Sequence, residues 1–432
     1  MNLAIPKWSR LTPSKGSNPS PLLKEIEAER YLVGGAVRDQ LLGLTPKERD
    51  WVVVGRTEQQ MLEAGFQSVG KDFPVFLHPN SKEEHALART ERKTAPGYRG
   101  FTVHAAPDVT LEEDLLRRDL TINAIAEGHD DTLIDPYKGE EDLQQGLLRH
   151  VSDAFSEDPV RILRIARFAA RFGKWGFKVT HPTHKLMQQM VKSGEVDALV
   201  PERVWQETVK ALQTERPDRY FEVLRNCGAL ARIFPELEAL FGVPQPAHHH
   251  PEIDSGIHTL MVLQQAVKLS DKPEIRFAAL VHDLGKATTP QTEWPKHHGH
   301  EARSSKLVKQ LCKRLKAPKS YRELALAVAQ YHGHYHRAEE MRPATILKML
   351  EGIDAFRRAE RFEEFLIACE ADQRGRTGFG EAEFTQGATL RRAYAAAHSI
   401  DTKSILTDGF EGKAIREELQ KRQTAAIRTA LI

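Results

Sequence analysis

At Asp158 the sequence changes its period. Before it, RYLVGG, WVVVG, PVFLH, EHALART and FTVHAA alternate or run apolar as short strands, with helical EQQMLEAG between them. After it, PVRILRIARFAARFG, HKLMQQMVKSG, PERVWQETVKALQ and YFEVLRNCGALARIFPEL repeat their apolar residues at helical spacing. Such a break predicts an α/β or α+β domain ending near residue 150, followed by an almost wholly helical remainder. Proline-rich FGVPQPAHHHPEIDSG at residues 241–256 marks a further boundary or exposed bend. Beyond it lie a histidine-rich helical region and a final arm built from GATLRRAYAAA and GKAIREELQKRQTAAIRTAL. Residues 1–28 carry proline, serine and lysine without periodicity and read as a mobile extension.

A chain of 432 residues needs two to four domains, and 40% hydrophobic with 28% charged residues is a globular composition. The formal charge is +2, so any grip on nucleic acid must come from local patches. Three cysteines without paired spacing argue against a disulfide framework or zinc fingers and for a reducing compartment. Neither a secretory signal nor a membrane span is legible, which predicts a cytoplasmic protein that engages no membrane.

Four clusters before residue 172 carry chemistry. In TPKERDWVVVG, a strand from Asp50 to Val54 sends Glu48 and Asp50 to the same side of a sheet. Unaided, two such carboxylates repel; together they could hold Mg²⁺ on the oxygens of a nucleoside triphosphate. Upstream, Gly34 and Gly35 lie between a strand and a helix start, where backbone N–H groups gather on phosphate, with Arg38 one turn on. Arg89, Glu91, Arg92 and Lys93, followed by APGYRG, form a charged segment that could close over a substrate or serve as an exposed loop. In RRDLTINAIA, Arg118, Asp119 and Asn123 offer donors and an acceptor for phosphate and a ribose hydroxyl, or for a salt-bridged helix start. Asp158, Arg161, Arg164, Arg167 and Arg171 form the fourth cluster, and on a helix its four arginines fall on one stripe. Asp158 and Arg161 suit the reading of a base edge, and adenine and cytosine both present an amine beside a ring nitrogen.

LVGGAVRD, the acidic-x-Asp strand, RRDLTINA and EDPVRILR, in this order and at these separations, resemble the bacterial CCA-adding enzymes, class II tRNA nucleotidyltransferases of the polymerase-beta superfamily, over residues 29–432. The resemblance implies an α+β fold: a small mixed-sheet nucleotidyltransferase head at 29–155, a helical neck, body and base-reading region at 156–254, a domain at 255–375 and a C-terminal helical arm at 376–432. It implies addition of CCA to the tRNA 3′ end from CTP and ATP without a nucleic-acid template. By motif, Gly35 and Arg38 would hold triphosphate, and Glu48 and Asp50 would hold catalytic Mg²⁺. Arg118, Asp119 and Asn123 would contact nucleotide, while Asp158 and Arg161 read the base and Arg164 and Arg167 complete the anionic pocket. One residue departs from the pattern: the family's first metal ligand is aspartate, and this chain has Glu48. The longer side chain predicts slower transfer, because Mg²⁺ tolerates little departure from its preferred octahedral distances.

The second half carries His258, the pair His282 and Asp283 in LVHDLGK, His298 and His300 in HHGHE, His332 in YHGHYH and Asp372 in EADQRGR. Imidazoles and carboxylates from several helices suit Ni²⁺ or another divalent transition metal. The ordered set resembles an HD phosphohydrolase domain. In CCA enzymes this implies 2′,3′-cyclic phosphodiesterase, 2′-nucleotidase and phosphatase activity, with water activated at a bound metal. The expected ligands are His258, His282, Asp283 and Asp372, with Lys286, His300 and His332 on phosphate or a second metal; His248 to His250 read as loop.

Arg303, Lys306, Lys309, Lys313, Arg314, Lys316, Lys319 and Arg322 could follow a phosphate backbone or form a solvated face. The resemblance implies recognition of the acceptor and T arms of tRNA by a monomer or homodimer. Two alternatives stand beside it: a poly(A) polymerase, which would not use CTP and ATP equally, and an RNA-binding HD phosphohydrolase with an impaired transferase site.

Overall fold

The computed structural model describes residues 20–69, 74–93, 101–247 and 251–432. The expectations for residues 1–19, for APGYRG at 95–100 and for His248 to His250 lie outside them. The chain divides into two compact units, Met1–Ile165 with Trp175–Leu199, and Ala166–Lys174 with Val200–Ile432. The first is a mixed α+β head, and the second is helical throughout its described residues apart from short connections.

The described residues of the head carry, before residue 140, the short strands β1 (Arg30–Val33), β2 (Asp50–Val53), β3 (Gln67–Ser68), β4 (Val75–Leu77), β5 (Glu84–Leu87), β6 (Thr90–Lys93), β7 (Phe101–His104), β8 (Ala126–Glu127) and β9 (Leu133–Ile134). Seven form one sheet in the order β3-β4-β5-β2-β1-β8-β9, and β6 with β7 makes a separate antiparallel pair. The β2–β5 pair is parallel and the other pairs of the large sheet are antiparallel. The apolar run WVVVG follows from this order, because a central strand is covered on both faces. Val53 joins Met61, Phe66, Phe76 and Leu87 in one core cluster, while neighbouring Val52 joins Val33, Leu115 and Ala126 in another.

Residues 21–28 correct the reading of a loose extension. Pro21–Glu29 is a helix, started by proline in its first turn and by Ser20, whose hydroxyl accepts from the Leu23 amide at 3.1 Å. Leu23 and Ile26, three residues apart, bury themselves in the first core cluster. Burial of side chains this size contributes about 1.5–3 kcal/mol each. A pair three residues apart is too short a pattern to stand out among prolines and serines. Among the described residues, the stretch after Asp158 has one exception to its helical reading: Lys178–Val179 pairs in parallel with Leu147–Leu148, both within the first unit.

His85 is fully buried in the first core, stacked between Trp51 at 5.8 Å and His78 at 5.4 Å, with Arg30 Nη1 at 2.9 Å from its Nε2. Burial pushes its imidazole down to about 3, helped by the Arg30 charge.

In the helical unit, helices Ser255–Leu269, Pro273–Val281 and Ala359–Arg374 meet through Val262, Ala266, Ala279 and Ala371, side chains small enough for close approach. Gly375 continues that contact, since a Cβ there would stand 2.5 Å from Val262 Cγ2. Gly285 sits so close to the start of helix His300–Arg314 that a Cβ would fall 2.2 Å from the His300 carbonyl oxygen. All three cysteines are buried and free. No helix among the described residues is long and apolar enough to cross a membrane.

Candidate active sites of the head and the helical unit

Strand register assembles the first site. Val33 at the end of β1 pairs with Asp50 at the start of β2, so the Gly34–Gly35 turn and the acidic pair share one end of the sheet. Gly34 has φ +69°, a backbone conformation that favours glycine, and lies close to the Arg118 guanidinium, whose Nη1 would stand 2.8 Å from a Cβ there. Glu48 lies just before the strand, and both it and Asp50 are exposed. Partial desolvation of its carboxyl raises the Asp50 pKa, with Arg118 opposing and Glu48 adding to the rise. A divalent cation would relieve that repulsion, so the donor set fits one. Glu84, passed over in the sequence, is the register partner of Asp50 on parallel β5, which sends the two side chains to the same side.

Around this mouth the polar residues hold one another. Arg118 reaches Asp114 Oδ2 at 3.1 Å, and Arg117 reaches Asp114 Oδ1 at 2.7 Å. Asp114, also missed by sequence, is buried; desolvation opposes its charge, but the two guanidiniums hold its carboxyl below the usual range. Asp119 accepts from Arg164 Nε at 2.7 Å, from Asn123 Nδ2 at 2.9 Å and from the Leu120 amide at 2.9 Å. These bonds overcome desolvation and keep Asp119 strongly acidic. Arg38, at the expected place in helix Gly35–Leu41, turns its guanidinium to Asn123 Oδ1 and, at 2.7 Å, to Asp39 Oδ1. Asp158 accepts from the Val160 amide at 3.0 Å, where helix Val160–Arg171 begins. Arg161 donates to the carbonyls of Ala154 at 3.0 Å and Arg117 at 2.7 Å. Arg167 belongs to the helical unit and pairs with Glu207 at 2.5 Å. The side chains of Arg118, Asp119, Asn123 and Arg164 thus stand together, whereas Arg167 is engaged elsewhere.

The second site is a buried cluster on four helices and the turn that carries Asp283. His258 Nε2 is 3.0 Å from Asp372 Oδ1, and His282 Nε2 is 3.5 Å from the same oxygen and 3.0 Å from Asp283 Oδ2. On its other side Asp283 Oδ1 faces His300 Nε2 at 3.2 Å and His332 Nε2 at 3.4 Å. Two ligand-competent triads result, His258–His282–Asp372 and Asp283–His300–His332. His282 Nε2 and Asp283 Oδ1 are buried without a well-directed hydrogen bond despite these short contacts, as expected of atoms aimed at a common centre. The donor set therefore fits a divalent metal. Desolvation would lower His282, but the Asp283 and Asp372 carboxylates carry it up to about 10. Metal arrival would displace that proton.

Lys286 closes the cluster with Nζ 2.6 Å from Asp283 Oδ2. His298 is exposed and stays outside; its neighbour His297 is buried between Thr289 Oγ1 at 2.9 Å and the Pro244 carbonyl at 2.9 Å. Sequence reading missed His336, whose Nε2 is 2.5 Å from Asp372 Oδ2, although YHGHYH places it one turn after His332. It also missed Glu252, whose Oε1 is 2.8 Å from His258 Nδ1. In the basic tract Lys306, Lys309, Lys313, Lys319 and Arg322 are exposed, but Arg314 pairs with Glu236 at 2.6 Å, Lys316 with Glu202, and Arg303 donates to the His298 carbonyl at 2.8 Å.

Three family models match the chain: the poly A polymerase head domain over residues 30–149, a probable RNA and SrmB-binding site of polymerase A over 176–241, and the HD domain over 256–373. The multifunctional CCA protein of Thioalkalivibrio sulfidiphilus is 64% identical over 92% of this chain and 97% of its own length. The chain belongs to the multifunctional CCA proteins. That of Nitrosococcus oceani is 60% identical over 93% of this chain and 98% of its own. As a multifunctional CCA protein, the chain is a CCA-adding nucleotidyltransferase with an HD phosphohydrolase domain, which removes the poly(A) polymerase alternative. Among solved structures, the Bacillus stearothermophilus CCA-adding enzyme in complex with CTP shares the fold at TM-score 0.64 and 21% identity, covering 94% of this chain and 91% of that one. The Thermotoga maritima CCA-adding enzyme complexed with tRNA shares it at TM-score 0.61 and 19% identity, covering 95% and 94%.

Proposed function

We propose that the head adds cytidine, cytidine and adenosine to the 3′ end of tRNA with Glu48 and Asp50 as the metal-holding pair. The observation that supports this most is the β1–β2 register, which sets the Gly34–Gly35 turn beside Asp50 and under Arg118. Mg²⁺ held there would lower the pKa of the tRNA 3′-hydroxyl and neutralise charge on the leaving pyrophosphate. Gly35 gives the triphosphate close backbone approach, and Arg38, Arg118, Asp119 and Asn123 order the nucleotide side of the mouth. Asp158 and Arg161 read the amine and ring nitrogen shared by cytosine and adenine, and Arg164 supports them through Asp119. Arg167 acts by fixing its helix to Glu207.

In the HD domain His258, His282, Asp283 and Asp372 would hold Ni²⁺ or a similar cation, which would supply an activated water for 2′,3′-cyclic phosphodiester, 2′-nucleotide and phosphate-ester hydrolysis. His300 and His332 take a second metal or, with Lys286, the phosphate. The exposed lysines of helix His300–Arg314 follow the tRNA backbone of the acceptor and T arms by charge.

The test is extension of a tRNA transcript lacking CCA in Mg²⁺, resolved to single nucleotides. CTP alone should stop the product at plus two, and CTP with ATP at plus three. Binding of that transcript without extension would favour the second reading, an HD hydrolase whose transferase is impaired at Glu48.

A further inference from the structure

Every histidine of the two triads presents Nε2 to the carboxylates, which requires something to hold Nδ1. For three of them it is a backbone carbonyl of a preceding residue: Ala279 for His282 at 2.7 Å, His297 for His300 at 2.8 Å and Val328 for His332 at 3.0 Å. His258 differs. Its Nδ1 faces Glu252 Oε1 at 2.8 Å, and the Glu252 side chain is only 3% exposed. The other carboxylate oxygen, Oε2, accepts from the Thr377 amide at 3.1 Å, five residues beyond Asp372.

The turn that carries Glu252 is itself fixed. The Ile253 carbonyl accepts from the Gln245 amide at 2.7 Å, and Asp254 caps helix Ser255–Leu269 by accepting from the Ile257 amide at 2.9 Å. Ile253, the residue after Glu252, holds φ +60°, an uncommon conformation for a β-branched residue. A buried carboxylate at this distance keeps the imidazole proton on Nδ1 and leaves the Nε2 lone pair for a metal.

We infer that Glu252 is a positioning residue of the HD metal centre, fixing the tautomer and ring angle of His258 and bracing the Thr377 segment behind Asp372. The inference rests on His258 being a ligand, as proposed above. Unlike the three carbonyls, this orienting group can be changed by substitution while the helix backbone stays intact. Glu252→Gln keeps the size and an oxygen for Thr377, yet its amide can equally donate to Nδ1 and drive the proton to Nε2.

The full chain, freed of metal, is titrated with Ni²⁺ by calorimetry as wild type, E252Q, E252D and H258A. Hydrolysis of a 2′,3′-cyclic nucleotide is followed against Ni²⁺ concentration for each. The expected result is a 10–100-fold weaker Kd for E252Q, hydrolysis that recovers toward the wild-type maximum at saturating Ni²⁺, partial recovery of affinity in E252D, and loss of binding in H258A. An E252Q Kd within twofold of wild type beside a non-binding H258A overturns the inference and leaves the ligand assignment standing. Equal losses in E252Q and E252D assign the effect to packing and overturn it too. Wild-type binding by H258A removes the ligand assignment and the inference together.

Discussion

Glu48 and Asp50 stand exposed at the open end of a sheet, whereas His258, His282, Asp283 and Asp372 are each at most 3% exposed within packed helices. The contrast follows from what each site would bind. A nucleoside triphosphate brings phosphate oxygens that complete the coordination of a hard cation, so the protein need supply only a pair of carboxylates and room. A transition metal that activates water takes most of its ligands from the protein, so these must converge before it arrives. The helical site accordingly spends glycines and alanines on close helix contact, and the head spends glycine on access.

The largest test of that separation is a double dissociation. Asp50→Ala should lower CTP addition by at least ~10³-fold with hydrolysis unchanged, and Asp372→Ala should do the reverse, removing Ni²⁺ binding as well. Loss of both activities from either change would break the comparison. A smaller effect sharpens it: Glu48→Asp should raise single-turnover CTP addition about three- to tenfold, because an open site tolerates a longer carboxylate but positions its cation less well. An unaltered rate would show that the exposed mouth absorbs the extra methylene.

The smallest effect contrasts two buried histidines. His282 is carried up to about 10 by its carboxylates, and His85 is pushed down to about 3 by burial. Because the folded value of His85 lies below its ordinary 6.5, the unfolded chain takes up the proton first as pH falls. His85 therefore favours the fold fully above pH 6.5 and loses that contribution between 6.5 and about 3, at up to about 1.4 kcal/mol per pH unit. His85→Gln should reduce the drop in the urea midpoint of the head between pH 7 and pH 5; an equal drop in both chains would refute the assignment.

Much of this was legible from sequence. Short apolar runs such as WVVVG giving way to helical spacing after Asp158 announced the α+β class, and the resemblance carried by LVGGAVRD, RRDLTINA and the ordered histidines and aspartates named the candidate residues of both sites. What escaped depended on tertiary register or on shared partners. Glu84 is only one acidic residue among several until β5 aligns it with Asp50. Asp114 appears as an ordinary helix acid until two arginines converge on it. Arg167 shares a stripe with Arg161 and Arg164, but a helix pattern cannot say that Glu207 waits opposite. Glu252 lay in a proline-rich bend, where sequence offers no periodicity to assign a side chain inward.

Gly285 leaves a different kind of record. Its lack of a side chain is needed by the fold, since any Cβ would strike the start of helix His300–Arg314. The imidazoles of His258 and His282, on the reading proposed above, would be kept for the chemistry. In a descendant that gave up hydrolysis, selection would release the imidazoles long before it released the glycine, so Gly285 would testify to ancestry while His258 and His282 testified to use.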